Sequence, residues 1–256
     1  MAVREVRLRQ LQEVILGEGS VRVGDVGRRL GVSDETIRRD LDVLAERGLV
    51  VRTRGGAVAP TEALLEHPHR VRQGEQQDEK RAISRLVATE LVRPGMAIAL
   101  DTGSTSLEVA RALRRMSVTV VTNSLPITME LLGSNAAVLI LGGVARARSM
   151  SVTGPVAERA ADTFHCDIAF VSAPAMTPEL GPMDTDLEEV EVKRRFVQRA
   201  SQAYAIVDHT KLGRSAFITI CPSADLDGLV TDARADPLVL ERFRDLGLDV
   251  RIAEVP

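Results

Sequence analysis

GVSDETIRRDLDVLAERGLVVRTRGGAV, residues 31–58, decides how the first part of this chain folds. Gly31 can take the positive φ of a tight turn, where a Cβ would be strained. Ser33 is a good N-cap for the helix that follows, because its hydroxyl can accept from a free amide of the first turn. In that helix Ile37, Leu41 and Leu44 recur at i, i+4 and i+7, so they share a face that turns to a core. The opposite face carries Asp34, Glu35, Thr36, Arg38 and Arg39. Upstream, Val23, Val26 and Leu30 form one apolar stripe, and an earlier helix carries Leu8, Leu11, Val14 and Ile15. Downstream, LVVRTRGGAV reads as a two-stranded wing. Arg52 and Arg54 stand at alternate positions and so point the same way. Gly55 and Gly56 keep the tip compact.

A helix with an exposed N-terminal end and arginines on its outer face suits the major groove of duplex DNA. Its first amides favour phosphate. Arg38 and Arg39 reach guanine edges, and Thr36 meets a phosphate or a thymine methyl. Ser33, Glu35, Thr36, Arg38, Arg39, Arg52 and Arg54 are therefore the candidate DNA-binding residues. The same residues also fit a three-helix protein-interaction module, in which Asp34, Glu35, Asp40 and Asp42 neutralise the arginines by i, i+3 or i+4 pairing. Turn glycine, cap serine, core spacing, arginine pair and basic wing occurring together favour DNA.

Composition narrows the binding mode. Only 2% of the 256 residues are aromatic and none is Trp, which argues against stacking bases on aromatic platforms. The net charge of −3 is uneven: residues 1–58 carry +2 and the remainder −5, so a nucleic-acid site must be a local patch. The chain has three lysines, Lys80, Lys193 and Lys211, so a lysine in a polar loop is less often surface filler here. The two cysteines, Cys166 and Cys221, lie far apart and make no metal motif. His67 and His69 flank Pro68 without an acid or thiol cluster, so no metal and no cofactor is expected. No apolar run approaches the roughly 18 residues of a membrane span, and the expected location is cytoplasmic.

Three segments follow. Residues 1–58 form the winged helix-turn-helix, 59–78 (APTEALLEHPHRVRQGEQQD) an aperiodic linker, and 79–256 an α/β domain. In the last, MAIAL (96–100), VTVVT (118–122), AVLIL (137–141), DIAFVS (167–172), AYAIV (203–207) and GLVT (228–231) alternate with amphipathic helices. Continuous apolar strands separated by helices predict a mostly parallel sheet covered on both faces.

The polar loops all follow strands, and in a parallel sheet those ends share one edge, where ligands bind. ALDTGSTSLEVA (99–110) leaves a strand, turns at Gly103, offers hydroxyls from Ser104, Thr105 and Ser106, and enters a helix whose first amides attract an anion. It has the makings of a phosphate cradle, although a Ser/Thr-rich cap would look the same, and the P-loop spacing is absent. Asn123 and Ser124 fit a sugar hydroxyl or a helix cap. Gly142 and Gly143 allow a close approach or make a plain turn. Lys211 supplies a positive charge near an anion or pairs with Asp208. Lys193, with Glu189 at i−4, is a ligand contact or an ordinary helix ion pair.

GVSDETIRRDLDVLAERGLVVRTRGGAV resembles the N-terminal winged helix-turn-helix of the DeoR family of bacterial transcription regulators. The VSxxTIRRDL core followed by the GGA wing carries that resemblance. DTGST, VTNS, LGG, the EVEVK helix and VDHTKLG resemble, in order, the family's C-terminal domain, which is itself similar to ribose-5-phosphate isomerase. The resemblance implies a transcription regulator, expected to be a repressor of a carbohydrate operon, that senses a phosphorylated sugar or related metabolite. It implies Asp101, Gly103, Ser104, Thr105, Asn123, Gly142, Glu191, Lys193 and Lys211 as effector residues; the loop chemistry adds Ser106, Ser124 and Gly143. Its partners would be double-stranded operator DNA and a second copy, as a dimer or tetramer, because one short helix reads too few bases. The alternative is a sugar-phosphate isomerase-like enzyme with an accessory N-terminal domain. Against it, Ala173, Pro174 and Ala175 stand where the isomerase has its catalytic aspartates, so proton transfer lacks its expected acids.

Overall fold

The computed structural model describes residues 2–18, 20–46, 49–58 and 69–255. Residues 59–68 of the expected linker, His67 among them, lie outside the described residues. The chain divides into two compact units, one holding Met1–Leu65 and the other Glu66–Leu212 and Ile218–Pro256.

In the first unit, helices α1 (Ala2–Glu18), α2 (Val23–Leu30) and α3 (Asp34–Glu46) pack on a small antiparallel sheet of β1 (Ser20–Arg22), β2 (Val51–Thr53) and β3 (Gly56–Val58), in the order β1-β3-β2. The expected apolar stripes meet in one core: Leu8, Leu11, Ile15, Val23, Val26, Ile37, Leu41 and Leu44 are all buried. The wing has three strands rather than two. The third, β1, comes from the break between α1 and α2, and it fits because Gly56 has no Cβ: one added there would sit 1.9 Å from the Val21 carbonyl oxygen.

In the second unit, the latter part of the expected linker is helical: α4 (His69–Gly74) precedes α5 (Gln77–Leu86), which closes in a π-helical turn over Val87–Leu91. Seven parallel strands follow, all six of the apolar runs among them: β4 (Ala97–Leu100), β5 (Thr119–Thr122), β6 (Ala137–Ile140), β9 (Cys166–Val171), β12 (Ala200–Ile206), β14 (Gly228–Asp232) and β15 (Asp249–Ala253). Helices α6 (Ser104–Leu113), α7 (Leu125–Leu131), α8 (Pro155–Asp162), α9 (Leu187–Gln198) and α10 (Pro237–Asp245) cover the sheet. Alternation along the strands divides the core. Ile98, Leu100, Ile168, Phe170 and Ile206 pack with Ile83, Leu107 and Ile127 on one face, while Ala99, Val121 and Ala169 meet Ala157, Val192 and Phe196 on the other.

The strand order, β15-β14-β12-β9-β4-β5-β6, reverses direction between β4 and β9. Such a reversal opens a crevice at the carboxyl ends of the two strands. Two additions roof that edge: a hairpin of β7 (Val144–Arg146) and β8 (Ser151–Thr153), and a small sheet of β10 (Ala175–Thr177), β11 (Gly181–Asp184) and β13 (Ile218–Thr219).

Candidate functional site

The helix-turn-helix is assembled by its local chemistry. Gly31 ends α2 in the left-handed region at φ 66°, and its amide bonds to the Arg28 carbonyl. Ser33 caps α3: its Oγ accepts from the Thr36 amide at 3.3 Å and lies 2.9 Å from the Thr36 hydroxyl. Arg38 and Arg39 stay exposed, at 54% and 74% of their side-chain area, and Glu35 lies between them, 3.9 Å from Arg38 and 3.2 Å from Arg39. Asp40 does not neutralise this face. It turns inward and accepts from Arg7 at 2.5 Å, joining α3 to α1. That hydrogen bond raises the Arg7 pKa against the opposing effect of burial. Arg52 and Arg54 part company: Arg52 bonds Asp42 at 2.8 Å and the Gly56 carbonyl at 2.6 Å, bracing the wing against α3, while Arg54 is exposed at the tip.

In the second unit, Asp101 follows β4 and is wholly buried. Its carboxylate accepts from the Ser172 amide at 3.0 Å, from the Ser172 hydroxyl at 2.8 Å and from the Ser106 hydroxyl. Lys193 reaches in from α9, 3.1 Å from Asp101 and 2.6 Å from Asp184, and donates to the Ser172 carbonyl at 3.0 Å. Burial alone would lower its pKa, but Asp184, Asp101 and Glu189 more than offset this and raise it. Lys193 is therefore a fixed ammonium tied to two carboxylates, and its partners are not the helix neighbour at i−4. That neighbour, Glu189, accepts from Ser151 on β8 and leaves its second oxygen without a partner. Burial pushes the Glu189 carboxyl upward, against the pull of Lys193 and of hydrogen bonds from Ser151 and Ser149.

The DTGSTS loop is closed tightly over this centre. A Cβ on Gly103 would lie 1.8 Å from the Ser172 hydroxyl oxygen, so only glycine fits. No side chain caps α6, and Ser104 and Thr105, both buried residues, have no side-chain hydrogen-bond partner among the described residues. Thr102 ties the loop to the hairpin through the Ser149 carbonyl at 3.1 Å. Asn123 donates to the Val152 carbonyl at 3.3 Å, while its own carbonyl oxygen is buried and unpaired.

Other candidates take structural places. Ser124 caps α7, accepting from the Ile127 amide at 3.3 Å. Gly142 and Gly143 are exposed where the chain enters the hairpin; Gly143, at φ 147°, passes so close to the Thr153 carbonyl that a Cβ would meet it at 2.5 Å. Glu191 is not brought to the centre: it lies on another flank of α9 and pairs with Arg194 at 2.5 Å. Helical arithmetic explains this, since 189 and 193 share a face and 191 does not. Lys211 is half-buried, with no ion pair among the described residues. Asp208, the surface partner expected for it, bonds Thr210 instead. His209 bonds Asp232 at 3.0 Å.

Sequence reasoning missed three residues. Asp184, on β11, brings an acid to Lys193 from beyond Ala173–Ala175, a stretch that carries none. Glu189 is the acid that faces the hairpin. Lys80, 3% exposed on α5, donates to the Arg72 and Glu75 carbonyls at 2.5 and 2.6 Å. Burial lowers its pKa; Asp208 opposes that and Lys211 adds to it, so all three groups lie within electrostatic range. The scarcity of lysine was the available signal for Lys80. Among the described residues no group of acids, histidines and cysteines has metal-binding geometry, and no helix is long and apolar enough to cross a membrane.

Residues 7–63 match the DeoR-like helix-turn-helix domain, and residues 75–233 match the DeoR C terminal sensor domain. The chain belongs to the DeoR family. This DeoR-family regulator is 34% identical over 238 residues to the HTH-type transcriptional regulator GolR of Listeria innocua, covering 91% of this chain and 92% of that protein. It is 29% identical over 235 residues to the glycerol-3-phosphate regulon repressor of Escherichia coli, covering 91% of this chain and 92% of that one. Among solved structures, ribose 5-phosphate isomerase A of Methanocaldococcus jannaschii superposes with a TM-score of 0.41 at 20% identity, over 54% of this chain and 55% of that one.

Proposed function

We propose that this DeoR-family regulator is a cytoplasmic repressor that binds operator DNA as a dimer or tetramer and is controlled by a phosphorylated sugar or related polyol. Residues 1–58 form the DNA-binding part, with Thr36, Arg38, Arg39 and Arg54 in contact with the duplex. Arg52 serves by holding the wing. The second unit is the sensor, with α4 and α5 at the start of its described part.

One observation carries the effector class: the crevice is divided by charge. Asp101, Asp184 and Glu189 surround one ammonium, Lys193, so this half is rich in acceptors and suits hydroxyl groups. Lys211 follows β12, and Lys80 lies within electrostatic range of it. Between the halves, the uncapped first turn of α6 and the unspent hydroxyls of Ser104 and Thr105 suit a phosphate. A polyhydroxyl chain with an anion at one end matches both halves. The relative named for a glycerol-3-phosphate regulon supports the same class of molecule.

Asp184 beside Lys193 is the observation that favours an isomerase. The bonding counts against it. Lys193 is raised, not lowered, in pKa, and it donates to two carboxylates and a carbonyl, so it is a poor base. Asp101 is likewise occupied by two serine hydroxyls and an amide. Assays with pentose and hexose phosphates should give no turnover, and measurable turnover would reverse this reading.

A melting-temperature screen tests the effector class. Ligand at about 100 times its Kd stabilises the native state by about 2.7 kcal/mol. Phosphorylated sugars should raise the melting temperature and their unphosphorylated counterparts should not; a flat response to both removes the proposal. Lys211→Ala should leave DNA affinity intact and blunt the response to effector.

A further inference from the structure

The chain leaves the DNA-binding unit through residues 59–68 and arrives at α4, whose attachment is unusual. His69, at its start, is 2% exposed; its amide bonds to the Arg148 carbonyl at 3.0 Å, and its Nε2 has no partner among the described residues. At the other end, the Lys80 ammonium donates to the Arg72 carbonyl at 2.5 Å and to the Glu75 carbonyl at 2.6 Å. The last carbonyls of a helix lack intrahelical partners and carry the negative end of its dipole, so an ammonium placed there pins the helix down.

That pin is a charge held by neutral groups. Lys80 is buried, and of the charges near it Asp208 and Glu75 attract its ammonium while Lys211 and Arg72 repel it. An ammonium has three donors. A bond from it to an anionic oxygen adds the attraction of a full opposite charge, which a neutral carbonyl lacks. We infer that Lys80 is a latch: an anionic effector in the crevice draws its ammonium off the Arg72 and Glu75 carbonyls and releases segment 69–75, and this release passes effector binding on to DNA affinity. The inference rests on the effector reading above for the identity of the anion, but the latch itself exists without ligand and is testable without it.

The test uses the full chain and a duplex selected for binding to it. Lys80→Met keeps the length and apolar stem but cannot donate; Lys80→Arg keeps both charge and donors. Without any effector, K80M should show at least about tenfold faster amide exchange across residues 69–76 and a change in duplex affinity on the scale typical of coupled sites, about fivefold or more. K80R should retain most of the wild-type protection and affinity. Wild-type exchange and affinity in a folded K80M, or identical behaviour of the two variants, overturns the latch and leaves the effector site standing. Should K80M fail to fold, the wild-type chain carries the test with ribose 5-phosphate and glucose 6-phosphate as probes. Exchange across 69–76 should rise with the occupancy read from the melting temperature, and occupancy without that rise overturns the latch. If neither probe shifts the melting temperature, inorganic phosphate is the last probe, and failure of all three overturns the anionic trigger as well as the effector class.

Discussion

The two units hold charge in opposite ways. On the outer face of α3, Arg38, Arg39 and Glu35 stand mostly in water, and pairs of this kind contribute roughly 0–1 kcal/mol to stability. Under the hairpin, Lys193, Asp101 and Asp184 are buried and saturated with short contacts. The first arrangement leaves charge available to a partner; the second spends it on a preset geometry. A DNA reader needs arginines that exchange one acceptor for another, and a small-molecule sensor needs groups that do not move until the right molecule arrives.

The sharpest way to break the contrast is Lys193→Met. Breaking a buried pair costs about 3–5 kcal/mol because a charge is left uncompensated, and here two carboxylates are stranded. Chemical denaturation should register that loss; a drop under 1 kcal/mol would mean that the centre is wetter than its burial suggests. Next in size is a pH effect. Burial, helped by Arg72, Lys80 and Arg111, lowers the His69 pKa from 6.5 to about 4, so the folded state keeps the ring neutral. The unfolded chain takes up the proton first, so stability is full above pH ~6.5 and declines as pH falls toward ~4, by roughly 3 kcal/mol. His69→Leu should flatten that part of a stability–pH curve, and an unchanged slope would remove the assignment.

On the exposed side the effects should appear in binding rather than folding. Arg38→Ala and Arg39→Ala should each weaken duplex binding about tenfold, with melting nearly unchanged. If either arginine contacts phosphate alone, its loss should also lower the slope of log affinity against log salt by about one. A gel-shift titration that matches the wild type would exclude that arginine from the interface. The smallest effect belongs to Glu35→Gln, which removes the acceptor between the two arginines. Binding should tighten two- to threefold or so at low salt and converge with the wild type as the Debye length shortens; weaker binding at every salt would instead mark Glu35 as a base contact.

The same contrast explains what the sequence could tell. Short-range rules built the first unit: Gly31, Ser33 and the i, i+4, i+7 spacing of Ile37, Leu41 and Leu44 all act within a few residues. The six apolar runs likewise became strands, five of them largely buried and the sixth, β6, an edge strand with Leu139 and Ile140 exposed. DVRIA became the seventh, β15, and its alternation suits an edge strand with half-exposed residues. The sensor centre was less legible because its contacts span the chain. Asp101 meets Ser172, 71 positions away, and Ser151 meets Glu189 at a separation of 38. Nothing in MDTD announces that Asp184 will face Lys193. The choice of Glu191 over Glu189 was within reach, since one turn of helix arithmetic separates them. Lys80 carries no motif and acquires its meaning only when α4 folds back over α5.

The fit of Gly103 against Ser172 has a consequence for how this protein can drift. A methyl group at one position collides with a hydroxymethyl at the other, 69 positions along the chain. Position 103 cannot enlarge alone, and because the Ser172 Cβ itself would lie 2.4 Å from the added atom, descendants must pass through glycine at 172 before a larger residue at 103. The order of mutations, and not only their sum, is written into that contact.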